Sequence, residues 1–516
     1  MAGEPMAAID IGTNSIHMVV ARPKGNNRFE VLDREKEVVR LGAGSGDMKR
    51  LSPDAIGRGV SALRRFRQIA ERAGAEIRAV ATSAVREAEN RDEFLQRART
   101  EAGMEVDVVS GTEEARLIHL GVLQAVPVFD RRHLLIDIGG GSTEFVIGEA
   151  GEVLDARSLK LGAIRLTDRF LREVPLKRKA VEECRRYLRT FLLPVVRMVG
   201  VHGFAVAVGS SGTILNIAEM ARAKRDEPPL QQVSGATVSA DDVHRVVRAL
   251  TKASTADERL AVPGLDPRRV DIIVGGALIL EEAVTSLGIG ELIVSDFALR
   301  EGLLLDSIRR RDSTSIGHLR DLRYESVLHL AAITPGERDH ANHATELALQ
   351  LFEQTTSLHR LGGEAEEILE AAGLLANVGL FVAHDRHHLH SYYIIRHSDL
   401  LTGFTDHEVE LIALVARYHR KSAPKPTHAE FASLSPADQE LVRVLAGLLR
   451  LGFALDRTRA GAVKAVKAGV TPGRRPQLVL DLVTDGEDVE LERYTSDDRK
   501  SLLESALGVS VVLAPA

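Results

Sequence analysis

The stretches AAIDIGTNS (residues 7–15) and LLIDIGGGST (residues 134–143) decide how this chain is read. Each is an apolar run that ends in Asp-Ile and passes into a turn of glycine and small polar residues. Asp10-Ile11-Gly12-Thr13-Asn14-Ser15 returns as Asp137-Ile138-Gly139-Gly140-Gly141-Ser142-Thr143, so the aspartate recurs after 137 − 10 = 127 residues. A second β-branched run follows each turn, at 17–22 and at 144–148. Strand, turn and strand therefore occur twice, one domain length apart. The simple reading is two related α/β domains facing each other with both turns at the cleft between them, a common setting for a ligand.

Working outward, further strands are expected at 77–81, 106–109, 133–138, 204–208 and 292–294, and helices at 53–73, 91–102, 113–122, 179–198 and 240–251. The first helix opens on Ser52-Pro53, a capping residue and then proline at the first helical position. This alternation argues for α/β domains with mixed sheets. Beyond about 310 the texture changes. From 316 to 451 the chain is Leu/Ala-rich and helical in period, with clustered histidines (His340, His343, His384, His387, His388, His390, His397, His419). From about 460 come a Gly-Arg turn at 471–476, an alternating run at 477–483, a turn at Asp485-Gly486, a second alternating run at 489–494, a helix and a last apolar run. The expected domains are thus 1–130, 131–310, 311–459 and 460–516, the last a small α/β domain.

The twin turns carry a chemistry. Glycine removes the side chain that keeps a ligand from the backbone, so successive N–H groups can face an anion. Thr13, Asn14 and Ser15, and then Gly140, Gly141, Ser142 and Thr143, are suited to phosphate oxygens, and the adjoining carboxylates suit Mg²⁺. A third candidate loop is Gly209-Ser210-Ser211-Gly212-Thr213, between a strand and a helix, where the helix dipole favours an anion. A single such loop is equally an ordinary turn and cap; two at domain spacing are not. The acids Asp10, Glu114, Asp137 and Glu144 lie next to these loops in sequence or in expected structure. They offer what water attack on a phosphoryl group needs. Glu113 and Glu114 share the first turn of a helix about 100° apart, so one is expected to face the cleft and the other solvent. Arg86 and Arg269 are basic candidates.

Composition narrows the classes. The chain has 516 residues, 44% of them hydrophobic and 27% charged, with a formal net charge of −6, so it folds into several cores without being disordered. No apolar run is long enough to span a membrane. The N-terminus lacks the pattern of a signal peptide, and a single cysteine, Cys184, excludes an intrachain disulfide. A cytoplasmic protein is expected. An acidic balance without tryptophan argues against nucleic acid as a partner.

Taken together and in order, AAIDIGTNSIHMVVAR, ATSAVREA, VSGTEEARLIHLGV, LLIDIGGGSTEFVIGE, LGAIRLTDRF, AVGSSGT, VDIIVGGALIL and VSDFALREGLL resemble the exopolyphosphatase/guanosine pentaphosphatase (Ppx/GppA) family of the actin-like phosphotransferase superfamily. The resemblance covers roughly residues 6–306 and continues more weakly to the end, as in the longer, four-domain members. It implies actin-like (ribonuclease-H-like) tandem α/β domains, then an all-α HD-like domain and a small α/β domain. It implies Mg²⁺-dependent hydrolysis of a terminal phosphoanhydride, with K⁺ as a further candidate cation.

Carried over by residue, Glu114 matches the catalytic base, and Asp137 and Glu144 match acids that position metal and water, beside Asp10. Thr13, Asn14, Ser15, Gly140, Gly141, Ser142, Thr143, Gly209, Ser211, Gly212 and Thr213 match phosphate-binding positions, and Arg86 and Arg269 match phosphate-contacting arginines. The leading expectation is an exopolyphosphatase acting on inorganic polyphosphate. The same loops also fit guanosine pentaphosphate (pppGpp) converted to ppGpp. An actin-like kinase, or a non-catalytic sensor of alarmones or polyphosphate, would use similar loops and would release no phosphate. Longer members suggest a homodimer. In the HD-like region, adjacent His-Asp ligands are replaced by Ala376-Asn377, so no second hydrolytic centre is expected.

Overall fold

The computed structural model describes residues 4–25, 28–42, 48–225, 233–311, 316–334, 337–398, 400–401, 404–471 and 476–514. The chain divides into two compact units, residues 1–316 and 317–516. No helix among the described residues is long and apolar enough to cross a membrane.

The first unit holds two mixed sheets of the same plan. One joins β1 (Met6–Ile11), β2 (Ser15–Gly25), β3 (Arg28–Val38), β4 (Glu76–Ala81) and β5 (Asp107–Val108) in the order β3-β2-β1-β4-β5. The other joins β6 (His133–Ile138), β7 (Thr143–Glu149), β8 (Glu152–Leu159), β9 (Val206–Ser210), β10 (Thr237–Ser239) and β11 (Glu291–Val294) in the order β10-β11-β9-β6-β7-β8. In each, a central strand pairs antiparallel with the hairpin strand after its turn and parallel with the strand on its other side. This is the doubled α/β plan that the repeat predicts and the actin-like arrangement that the resemblance implies. Every residue of β6 is buried, as its unbroken apolar run requires of a strand covered on both faces.

The halves are not separate globules. Met6, Ala8 and Val19 from the first sheet share a core with Leu135, Val146 and Val208 from the second, and Leu117, Val122, Leu303 and Leu304 fill the space between. The last four come from two helices, Gly111–Ala125 and Leu299–Arg311. They cross so closely that a Cβ on Gly302 would lie 1.7 Å from the Leu117 carbonyl oxygen, and one on Gly121 would lie 2.2 Å from that of Ala298. A boundary at 130/131 therefore passes through shared packing. The helix Pro53–Arg72 begins where Ser52-Pro53 predicts. The Ser52 hydroxyl accepts from the Ala55 amide at 3.2 Å, a cap of about 1 kcal/mol.

Four elements differ from the sequence reading for identifiable reasons. The outer strands β3 and β8 were not expected, because charged residues crowd both (RFEVLDREKEV and EVLDARSL), a composition that protects sheet edges. The helix Ile273–Leu287 reads as a short apolar run because it is buried on nearly every side and shows no polar stripe. The alternating run at 489–494 is not a strand; it opens the helix Glu490–Arg499. Its apolar members Leu491 and Tyr494 face solvent, and Glu492 is the buried one, accepting from the Thr458 amide at 2.9 Å and from its hydroxyl.

The second unit is helical, with a three-stranded sheet of β12 (Val463–Thr471), β13 (Gln477–Thr484) and β14 (Ser510–Leu513) in the order β12-β13-β14. Val463, Val466, Leu478, Leu480 and Val511 belong to one core with Leu351, Leu414 and Leu449 of the helices. The division expected at 459/460 thus cuts a continuous core. The turn expected at 471–476 lies largely outside the described residues.

Candidate active site

The two turns close in the same way. The Gly12 amide donates to the Ser15 carbonyl at 3.1 Å, and the Gly139 amide to that of Ser142 at 2.9 Å. They also face each other. A Cβ on Gly140 would stand 3.1 Å from the Thr13 Cβ, and one on Gly141 would stand 2.5 Å from the Ser83 hydroxyl oxygen and 2.7 Å from that of Thr13. Glycine is needed here because another turn occupies the space. Between them opens a cavity of about 290 Å³ lined by Asp10, Thr13, Asn14, Ser15, Glu114, Asp137, Gly140, Gly141, Ser142, Ser211, Gly212, Thr213 and Arg269. Most of the residues selected from the sequence meet in this one place.

The third loop joins them. The Ser211 hydroxyl donates to the Ile138 carbonyl at 2.7 Å, and Ser211 takes a φ of 77°, a left-handed conformation that costs a non-glycine residue energy and often marks a working site. A Cβ on Gly212 would fall 1.6 Å from an Arg269 guanidinium nitrogen, so the arginine lies directly over the loop.

Glu114 stands in the first turn of the helix Gly111–Ala125, whose cap Ser110 accepts from the Glu113 amide at 3.1 Å. An Arg86 guanidinium N–H donates to its carboxylate at 2.9 Å, so Arg86, although off the cavity wall, holds the carboxylate in place. Glu113 does not face solvent as expected. It is buried in a bidentate pair with Arg116 (2.7 and 2.8 Å), which also reaches Asp306 at 2.8 Å. Asp306 in turn accepts from Arg78 at 2.6 Å. The two neighbouring glutamates have separate tasks, one toward the cleft and one locking the helix down.

Asp137 accepts a hydrogen bond from Ser210, a residue the sequence reading quoted but did not select. Glu144 pairs in register with Asp137, and its carboxylate accepts from the Ser158 hydroxyl at 2.8 Å. Burial pushes Asp137 up to about 6, with Glu114 adding to the rise against the Ser210 hydrogen bond. Burial, followed by the charge of Glu114, pushes Asp10 up to about 8. Glu114 is raised by burial against the opposing pull of Arg86, and Glu144 is raised well above the carboxylate range by burial and then by Glu114 and Asp137. Desolvation and mutual repulsion of like charges make this an acid cluster that a cation would stabilise.

Four selected residues do not line the cavity: Arg86 and Glu144, which stand behind Glu114 and Asp137, and Thr143 and Gly209. The Thr143 hydroxyl donates to the Leu161 carbonyl at 2.6 Å and is spent on the hairpin. Gly209 lies within β9, where a Cβ would meet the Ile214 side chain at 2.8 Å; its smallness serves packing.

Several cavity residues were missed. His17 accepts from Arg300 at 2.9 Å through Nδ1, which leaves Nε2–H to donate to the Ser15 hydroxyl at 2.9 Å. Burial, then Arg300, keeps this ring well below the usual histidine range, so it is neutral. Lys36, opposite His17 in the register of β2 and β3, is lowered to about 8 by desolvation and then by Arg269 and Arg268. The repeat offers one signal for His17, since 17 + 127 = 144 places it where the second copy has Glu144.

Among the described residues, no set of three or more His, Cys, Asp or Glu is arranged to enclose a metal ion. Mg²⁺ needs no such cage, because one or two carboxylates plus phosphate oxygens and water commonly hold it. Asp10 and Asp137, desolvated and side by side with Glu114, fit that demand. Asn14 Oδ1 is buried and has no hydrogen-bond partner among the described residues. Rotated by half a turn, this amide presents a donor to a phosphate oxygen.

A family model described as the Ppx/GppA phosphatase family matches residues 19–311, and one described as Ppx/GppA phosphatase, domain III, matches residues 322–494. Among solved structures, an exopolyphosphatase from Cytophaga hutchinsonii is 33% identical with a TM-score of 0.55, covering 59% of this chain and 98% of its own. A Ppx/GppA family member from Aquifex aeolicus is 25% identical with a TM-score of 0.52, covering 60% of this chain and 99% of its own.

Proposed function

The chain belongs to the Ppx/GppA phosphatase family, hydrolases acting on phosphoanhydrides, and from that premise we propose that it is an exopolyphosphatase releasing orthophosphate from the end of inorganic polyphosphate. The observation that carries this reading is the meeting of three anion-accepting loops with three desolvated carboxylates, Asp10, Glu114 and Asp137, in one cavity, with Glu144 buried next to Asp137.

In this reading the terminal phosphate sits between the turns, against the amides of 12–15 and 139–142, with Thr13, Ser142, Thr213 and Arg269 around its oxygens. Asp10 and Asp137 would hold Mg²⁺, which supplies charge neutralisation at the phosphoryl oxygens. Glu144, behind Asp137, keeps that carboxylate in register. Glu114, fixed by Arg86, orients a water and takes its proton as the water oxygen attacks phosphorus. The bridging P–O bond breaks, and its electron pair leaves on the shortened chain. A base serves best with a pKa near working pH, and burial raises Glu114 toward it.

Loops that grip only the terminus leave the rest of the substrate to the cavity rim. There Lys36, Arg269 and Arg300 suit a continuing run of phosphates, which favours polyphosphate over a nucleotide. The test compares orthophosphate release from long-chain polyphosphate and from guanosine pentaphosphate, each with and without Mg²⁺. Faster release from polyphosphate, lost with the metal, is expected; faster release from the pentaphosphate replaces the substrate and keeps the chemistry. The homodimer is part of the same reading, and sedimentation of the purified protein tests it.

A further inference from the structure

His17 takes no part in the hydrolysis proposed above, and Arg300 enters it only as a charge on the rim. Both line the cavity beside Ser15. Ser15 and His17 stand two positions apart at the start of β2, so their side chains share one face of the strand. Arg300 lies in the first turn of the helix Leu299–Arg311, where the buried Glu301 anchors it. The Glu301 carboxylate accepts from Arg300 Nε–H at 2.9 Å and from the Ala298 amide at 3.0 Å.

The direction of each hydrogen bond follows from what each group can do. A guanidinium only donates, so His17 Nδ1, 2.9 Å from an Arg300 Nη nitrogen, presents its lone pair there. A neutral imidazole with a bare Nδ1 carries its proton on Nε2. That proton goes to the Ser15 hydroxyl oxygen 2.9 Å away. A hydroxyl has one proton to give, and this one is receiving from His17 while finding no acceptor for its own among the described residues. The matching serine of the second turn is arranged the other way. Ser142 lies 142 − 15 = 127 residues further on, and its neighbour two places along is Glu144, which draws a hydrogen bond from it. Of the two matched serines, it is Ser15 whose proton no side chain claims.

We propose that Arg300 and His17 are positioning residues that hold the Ser15 hydroxyl as a donor to an oxygen of the bound phosphate. The inference deepens the phosphatase reading of this cleft and rests on it. Arg300 acts on His17 by choosing its tautomer, and His17 acts on Ser15 by filling a lone pair, which turns the remaining proton toward the anion. The rotor is set before the ligand arrives, so binding has one group fewer to order. Arg300 gives up two of its five N–H groups to this task, one on His17 and one on Glu301, and keeps the others for the rim.

The experiment uses the full chain with Mg²⁺ and methylenediphosphonate, a diphosphate analogue that resists hydrolysis. Binding is read by titration calorimetry, and hydrogen exchange of the amides of 12–15 and 139–142 shows whether the probe lies in the cleft. The parent protein is expected to bind it there. Ser15→Ala, which removes one oxygen, and His17→Phe, which keeps a ring without nitrogens, are each expected to bind about tenfold more weakly. His17→Gln is expected to return the affinity nearly to the parent's, because its amide can accept from Arg300 and donate to Ser15 at once. In a Ser15→Ala background, His17→Phe is expected to weaken binding no further, as a residue acting only through Ser15 must. Unchanged affinity in Ser15→Ala or in a natively melting His17→Phe, a further loss in the double variant, or His17→Gln as weak as His17→Phe overturns the inference and leaves the phosphatase reading standing. A parent that binds no probe in the cleft overturns that reading, and this inference with it.

Discussion

The two Asp-Ile-Gly turns share a backbone and differ in charge. Asp10 and Asp137 occupy matching places, and the residues opposite them in register are His17 in the first copy and Glu144 in the second. Around the first turn stand His17, Lys36 and Arg300; around the second, Glu144 and, from a neighbouring helix, Glu114. Duplication accounts for the shared frame that, in the proposed reading, receives a phosphate from both sides. Divergence at the facing strand position then made one side a cationic rim and the other an acidic wall. A fold repeat therefore predicts where a site lies better than it predicts what each copy does there.

The largest expected effect falls on the acidic side. Glu114→Gln should lower phosphate release by about 10³-fold while leaving substrate binding near normal, measured as single-turnover rate against affinity. A variant that keeps most of its rate would remove the base from the acidic wall. Next come the matched positions. Asp137→Asn should cost about 10²-fold and shift the Mg²⁺ requirement upward, and Glu144→Gln should follow it more closely than His17→Gln does. Equal losses at 17 and 144 would mean that the copies have not diverged in role.

The glycines sharpen the contrast through packing. Gly141→Ala must displace the Ser83 and Thr13 hydroxyls and should cost about 1–3 kcal/mol of stability as well as raise KM. Gly12→Ala meets the Ser15 carbonyl oxygen at 3.1 Å and an Asp10 carboxylate oxygen at an ordinary 3.9 Å, and should cost less in a denaturant midpoint. The smallest effect lies on the cationic rim. Lys36 is charged below about pH 8 and neutral above it. Its attraction for an anionic chain is therefore present at neutral pH and fades as pH rises, so kcat/KM for polyphosphate should fall through pH 8. Lys36→Met should raise KM by about threefold at pH 7 and flatten that fall.

Much of this is legible in the sequence. The central strands and their turns carry long apolar runs and a repeated motif, and the acids follow from their distance to those turns. What escaped notice is explained by physics that a single stretch does not display. β3 looks like solvated charge because an edge strand disguises itself that way. The helix Ile273–Leu287 shows only an apolar run because burial on nearly every side erases its period. Glu113 was assigned to solvent because the buried cluster it joins through Arg116 is completed by Asp306, 190 residues along the chain from that arginine. His17 and Lys36 matter through register across a sheet, and register is a property of two strands at once.

The glycine crossing of the helices Gly111–Ala125 and Leu299–Arg311 has a mechanical meaning. With backbone set against backbone at Gly121 and Gly302, neither helix can slide along the other without collision. A cleft that widens to admit a long substrate must then swing about this point as a door does about its pin. Glu114, one helical turn from Leu117 at the crossing, sits beside the pin and travels least. The acid proposed as proton acceptor is thus the part of the site that such a swing displaces least.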